Sequence, residues 1–150
     1  MTMAGDPDII SDFIAPPNGT VDGNFFTYIH WLSLAQFPAL NGQSVSYAVI
    51  EFPSGTTNPP HTHPRSAELL SLAYAGDLFV FPKGLLHFQY NADSQKPALA
   101  TSAFGSANAG TVSIPSTLFP TVIHDSVLAI SFKTDVATIQ KLKASLATRP

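Results

Sequence analysis

Three histidines and one glutamate stand close together in this 150-residue chain: His61, His63, Glu68 and His87, all between Pro59 and Asn91. Imidazole nitrogens and a carboxylate are metal ligands. On a strand, residues two apart point to the same face, so His61 and His63 would present two imidazoles side by side. Glu68 follows His63 by five residues, and a turn or bulge at Pro64-Arg65 could carry it onto the next strand, facing the same centre. His87 comes shortly after the turn Pro82-Lys83-Gly84 and starts a later strand. Three imidazoles and one carboxylate, with coordination positions left open, suit a redox-active metal such as manganese or iron. Zinc, copper and nickel accept the same ligands. An HxH pair by itself is often just two polar strand residues, and a histidine after a turn is equally ordinary. Their occurrence together and in this order is what points to a metal centre. His30 and His124 fall in no such pattern and read as structural or surface residues.

The elements that must position these side chains are mostly short strands. Val45 to Phe52 alternates, with Val45, Tyr47 and Val49 on one face and Ala48, Ile50 and Phe52 on the other. Pro53-Ser54-Gly55 ends it in a turn. Glu68–Ala73, Leu78–Phe81 and His87–Tyr90 read as further strands. Leu99–Phe104 and Thr111–Ile114 continue the pattern around the small-residue loop GSANAG. Phe25–Leu34 is apolar and aromatic without a clean period and stays unassigned. The first 24 residues, punctuated by Pro7, Pro16, Pro17, Gly19 and Gly23, read as an extended arm. The tail is helical, over about residues 124–147. Thr134-Asp135 is a plausible cap, and Val136, Ile139, Leu142 and Leu146 then recur on one face, with Lys141 and Lys143 off it. Many strands followed by helices predict a single all-β domain, a barrel or sandwich, spanning residues 1–150 with a helical appendage.

Composition narrows the function classes. Charged residues make up only 11% and hydrophobic residues 45%. So sparse a charge suggests buried subunit interfaces or an extracellular protein. A net charge of −3 gives no support for nucleic-acid binding. No apolar run approaches a membrane span. The chain has no cysteine, which excludes disulfides, cysteine ligands and a cysteine nucleophile. The opening MTMAGDPDII lacks the features of a signal peptide, so the expectation is a cytosolic protein or a mature secreted form. The sequon Asn18-Gly19-Thr20 would suit N-glycosylation if the chain is secreted.

Two longer patterns carry a resemblance. Gly55-(x5)-His61-Thr62-His63-(x4)-Glu68 matches the first cupin motif up to its glutamate. Gly76-(x5)-Pro82-Lys83-Gly84-(x2)-His87-(x3)-Asn91 matches the second. The surrounding words GDPDIISDFI, VDGNFFTY, FPALNGQSVSYAV, NPPHTHPRSAELL, GDLFVFPKGLLHFQYN, SAFGSANAGTVSIPSTLF and FKTDVATIQKLKA resemble plant germin-like proteins over nearly the whole chain. The resemblance implies a cupin (jelly-roll) β-barrel with C-terminal α-helices. It implies one manganese ion per chain, bound by His61, His63, Glu68 and His87, which would act in catalysis through the metal. It implies a secreted, glycosylated protein of the apoplast or cell wall, with Asn18 as the glycan site. It implies a homo-oligomer, a trimer of dimers, locked in part by the Val136–Leu146 helix.

Two activities recur in that family: superoxide dismutation and oxalate oxidation, both yielding hydrogen peroxide and linked to plant defence. Dismutation needs a redox metal with an open position and a proton source. Oxalate, a dianion, must also be oriented by hydrogen-bond donors. Oxalate-oxidising germins resemble this chain at Asn58, the candidate substrate-binding residue, which could equally be a turn residue capping its own backbone. A second cavity asparagine of that group corresponds to Ala48 here, and a methyl cannot donate. The expectation is therefore a superoxide dismutase, with oxalate oxidase as the alternative. A non-catalytic metal-stabilised cupin (receptor, storage or defence protein) and a germin-like peptidase are further readings, the last without a cysteine or a Gly-x-Ser-x-Gly elbow to support it.

The chain departs from the family at two places. Only LLSLAYA separates Glu68 from Gly76, where the family has two more strands. Only IHWLSLAQ separates GNFFTY from FPALNGQ, where the family has a longer segment. Seven residues reach about 25 Å when extended, so the connection is possible. Losing a hairpin should open the barrel and expose strand edges. Either the chain is a shortened variant, or residues are missing at these points. The second alternative is the expectation, and it predicts α-carbon breaks well beyond about 3.8 Å near Tyr28–Gln36 and Leu72–Gly76.

Overall fold

A computed structural model describes residues 28–74 and 76–146. The arm expected over residues 1–24 and the sequon at Asn18 lie outside the described residues. The chain divides into two compact units, one ending at Val112 and one beginning at Ser113.

The first unit is built from antiparallel strands. Strands β1 (Tyr28–Leu32), β2 (Ser46–Phe52), β4 (Glu68–Leu72), β5 (Leu78–Phe81) and β7 (Ala98–Phe104) form a five-stranded sheet in the order β1-β2-β7-β4-β5. Strands β3 (Thr57–Thr62), β6 (His87–Tyr90) and β8 (Val112–Ser113) form a second sheet in the order β6-β3-β8. Period-2 patterning explains the pairing. In β2 the side chains of Ser46, Ala48, Ile50 and Phe52 are buried, while Tyr47 and Glu51 are exposed. In β7, Ala100, Ser102 and Phe104 face inward. Together with Leu70 and Ala109 these apolar residues form the core, and Ile29, Trp31 and Phe81 pack against it. Residues 28–32, unassigned from periodicity, become a strand because β2 offers them a full ladder from Tyr28↔Glu51 to Leu32↔Tyr47.

Among the described residues, the segments at both expected breaks form ordinary hydrogen-bonded turns. Beyond β1 the backbone turns through Gln36 N–H and Phe37 N–H, both donated to the Ser33 carbonyl. Strands β4 and β5 are joined directly as a hairpin. Leu72 N–H donates to the Asp77 carbonyl at 2.9 Å and Gly76 N–H to the Leu72 carbonyl at 3.1 Å. Gly76 sits at φ +72°, the left-handed conformation a tight hairpin loop requires. Ala75 itself is outside the described residues. The expected opening of the barrel is realised: β5 ends its sheet with three of its four residues exposed.

The second unit is helical, with α1 (Ile114–Leu118), α2 (Asp125–Ser131) and α3 (Val136–Leu146). The helical region therefore begins earlier than residue 124. The strand expected over Thr111–Ile114 shrinks to Val112–Ser113 because Pro115 sits in the first turn of α1, where its missing N–H costs nothing. Leu128, Ala129 and Ile139 form a small core with Phe119 and Ile123. Of the expected α3 face, Ile139 is fully buried, while Val136 and Leu142 remain partly exposed. Asp135 caps α3: its carboxylate accepts from the Thr138 N–H and hydroxyl, both at 2.8 Å.

Two outcomes follow for this unit. Ile139→Ala should destabilise it by about 2–5 kcal/mol, read by chemical denaturation, since a fully buried side chain leaves a cavity. The Thr138 hydrogen bonds hold the Asp135 carboxyl below its usual range. Because the folded pKa is lowered, the stabilisation is present above the ordinary aspartate range and is lost as pH falls through the lowered value. Asp135→Asn, which still caps, should keep the helical circular dichroism at neutral pH and flatten its acid dependence; Asp135→Ala should lower helix stability at neutral pH.

Candidate metal centre

The four sequence-predicted ligands come from three strands and a turn. His61 lies in β3, His63 one residue beyond its end, Glu68 opens β4 and His87 opens β6. Pro59 and Pro60 cannot donate to the ladder, and the register of β3 with β6 shifts between Asn58 and His61. That shift places His61 opposite His87. The expected turn at Pro64-Arg65 then carries the chain across to β4. Arg65 pins this turn: its N–H donates to the Ala109 carbonyl, Nε to the Asn108 carbonyl and Nη2 to Asn108 Oδ1. Gly110 sits at φ +68°, a left-handed conformation that favours glycine, and a Cβ there would also press on the Arg65 guanidinium at 2.7 Å.

All four ligand side chains are buried, and one ligand atom from each lies within 4.8 Å of every other. Glu68 Oε2 is 3.1 Å from His63 Nε2 and 3.0 Å from His87 Nε2. The ring centroids of His61 lie 5.0 Å from His63 and 4.3 Å from His87. Each imidazole is oriented by a backbone carbonyl on its other nitrogen. His61 Nδ1 meets the Pro59 oxygen at 2.7 Å, His63 Nδ1 the Gly110 oxygen at 2.6 Å and His87 Nδ1 the Leu85 oxygen at 2.9 Å. A carbonyl only accepts, so each Nδ1 carries the hydrogen. In the neutral rings every Nε2 then presents a lone pair.

Lone pairs on Nε2 facing a carboxylate oxygen repel unless positive charge lies between them. The donor set therefore fits a cation. An ion about 2.0–2.2 Å from each donor would hold neighbouring donors about 3 Å apart, the spacing found at Glu68. Burial lowers the pKa of His61 to about 4, reinforced by His87 and His63, so it is a neutral donor across the physiological range. Burial acts to raise the Glu68 pKa, but contacts with His63, His87 and Ser102 outweigh it and hold the carboxyl well below the usual range.

Several supporting residues were not legible as site residues beforehand. Ser102 Oγ donates to Glu68 Oε1 at 2.5 Å. Its signal in the sequence is slight: a hydroxyl between Ala100 and Phe104 on an otherwise apolar inward face. Phe81 stacks on His87 at 3.9 Å and 16°. Trp31 lies edge-on to His63 at 6.3 Å and against Phe104 at 5.4 Å. Asn58 is a buried strand residue, not a self-capping turn residue: its Nδ2 donates to Gln89 Oε1 at 2.7 Å. It lines a small cavity with His61, His63 and Glu68, whose remaining walls are Ile29, Trp31, Ile50, Phe104 and Thr111. Ala48 lies on the buried face of β2 opposite Ser102. His30 is exposed beside Glu51, and His124 caps α2 by accepting from the Ser126 N–H.

Because Ser102 orients the carboxylate, Ser102→Ala should weaken metal affinity roughly 10–100-fold without unfolding the sheet. Trp31 is the chain's single tryptophan, so its emission reports on the site alone. Titration with Mn2+ should change that emission saturably in the native chain and not in His63→Ala.

Comparison with known proteins places this geometry. The cupin domain family matches residues 71–140. Germin-like protein 9-3 of Oryza sativa subsp. japonica is 49% identical, covering 97% of this chain and 88% of that protein. Its alignment runs over 190 positions, more than the 150 residues of this chain, so the relative carries residues that this chain lacks. Among solved structures, an oxalate oxidase studied for its mechanism superposes with a TM-score of 0.75 at 31% identity, covering 89% of this chain and 77% of that one. A recombinant oxalate oxidase in complex with glycolate superposes with the same TM-score of 0.75 at 30% identity, covering 96% and 83%. The fold is thus the cupin fold, and the chain belongs to the germin-like proteins.

Proposed function

We propose that the chain is a secreted, manganese-binding germin-like protein that dismutes two superoxide ions, with two protons, to dioxygen and hydrogen peroxide. The observation that carries this reading is the buried set of three imidazoles and one carboxylate, each imidazole fixed through Nδ1 so that Nε2 faces inward. His61, His63, Glu68 and His87 would hold one manganese ion, which when bound supplies a one-electron redox couple. The rings need no rearrangement to bind it, because backbone carbonyls already set their tautomers. The walls formed by Ile29, Trp31, Ile50 and Phe104 limit water around the donors and leave room for a small anion. Superoxide requires no further orienting side chain.

Oxalate oxidation is the second reading, favoured by the likeness to oxalate oxidases and by Asn58 in the cavity lining. It is the weaker fit. The Asn58 amide is already donated to Gln89, and a methyl stands at Ala48. A dianion there would face apolar walls with few donors. Secretion to the apoplast or cell wall, a glycan at Asn18 and assembly as a trimer of dimers belong to the same reading and are checked by secretion, deglycosylation and solution mass.

Metal analysis and both assays on one purified sample test the assignment. The expected result is close to one manganese per chain, superoxide dismutation, and no peroxide from oxalate. His87→Ala should lose the metal and fall to the uncatalysed rate. Undiminished dismutation by that metal-free variant would sink the dismutase reading. Peroxide released from oxalate would move the assignment to oxalate oxidation. Stoichiometric metal with neither activity would leave a metal-stabilised binding protein.

A further inference from the structure

The short connection between β4 and β5 leaves an unusual edge. β5 ends the five-stranded sheet, and Leu78, Phe79 and Val80 are 66%, 58% and 57% exposed. Natural sheets blunt such edges with prolines, charges or bulges within the strand. β5 has none of these between Leu78 and Phe81. The closing pair of the hairpin sets which backbone groups are free. Leu72 bonds Asp77, and the register continues through Leu70↔Phe79 and Glu68↔Phe81. Alternation therefore turns the N–H and C=O groups of Asp77, Phe79 and Phe81 toward β4, and those of Leu78 and Val80 outward.

We propose that β5 is the pairing edge of a twofold dimer of this chain, joined antiparallel about Val80. The edge is complementary to itself in that register. Val80 meets its own copy, and the two residues exchange both outward hydrogen bonds. Leu78 N–H reaches the carbonyl of Pro82 in the copy; Pro82 has no N–H to return, so that pair carries one hydrogen bond where Val80 carries two. Phe79 meets Phe81. Asp77 meets Lys83, placing opposite charges at both ends of the pair; both side chains are exposed and neither has an ion-pair partner among the described residues. A twofold axis makes every such contact occur twice and closes this interface at two chains. The proposal rests on the geometry of β5 and not on the metal or the activity.

The absence of cysteine allows a direct test on the full chain. Directly opposed residues of a hydrogen-bonded pair lie about 5.5 Å apart at Cα, within disulfide range. Val80→Cys should therefore oxidise to a covalent dimer, while Ala92→Cys, on an exposed loop, should not under the same oxidant. Asp77→Lys opposes like charges twice and should raise the dimer dissociation constant at least about tenfold by sedimentation. Asp77→Lys combined with Lys83→Asp should restore it. Cross-linking no greater at residue 80 than at residue 92 overturns the proposal. So does a native chain that is monomeric in the micromolar range, or a charge reversal that leaves the dimer unchanged or is not rescued by the second swap.

Discussion

The Glu68 carboxylate is 1% exposed, and the first unit is organised around keeping it charged there. An ionised carboxylate in a protein interior is tolerated only with several compensating partners. Glu68 has the Ser102 hydroxyl on one oxygen and, on the other, the cation position it shares with the Nε2 atoms of His63 and His87. Those partners come from β7, from the turn after β3 and from β6, so both sheets must close on the same point. The polar cluster thus constrains strand register as firmly as the apolar core does. A one-residue slip of β4 against β7 would turn Glu68 outward and expose Leu70's partners on the wrong face.

The histidines extend that constraint into the backbone. Each ring is tied through Nδ1 to a carbonyl that the local chain path brings within 3 Å. For His61 and His87 the carbonyl is two residues upstream, so local sequence supplies it. For His63 it is Gly110, 47 residues away, and the loop carrying Gly110 is itself held by Arg65. The orientation of the ring and the path of a distant loop are therefore one structural problem. Phe81 and Phe104 pack against the same rings, which couples the metal centre to the apolar core.

The shortened segments bear on the rim of the sheet more than on its centre. The register among the core strands β2, β7 and β4 is uninterrupted, and at the edge strand only Phe81 reaches the site, through its pairing with Glu68 and its stacking on His87. What the short β4–β5 connection changes is the last strand, whose apolar side chains stand in solvent. The resemblance to the germin-like family, set against the short connection, predicted an exposed edge from a lost hairpin. In place of the expected chain break, Leu72, Gly76 and Asp77 close a tight hairpin with ordinary hydrogen bonds.

Much of the site was legible because its signals are local. The HxH pair, the following glutamate and the histidine after Pro82-Lys83-Gly84 are spaced by strand and turn geometry, and spacing can be read without a fold. The alternation in β2 and the cap of α3 are local in the same sense. Asn58 was half legible: its position before the prolines marked it, but its pairing with Gln89, 31 residues on, did not. Ser102, Gly110 and Trp31 were not legible, since a serine in an apolar strand, a glycine in a loop and an isolated tryptophan have no metal-site signature of their own. The sequence by itself determined the ligand types, the strand class and the family words. Tertiary structure alone decided which distant groups orient those ligands and which edge is left unpaired, because hydrogen-bond partners tens of residues apart meet only once the two sheets have closed.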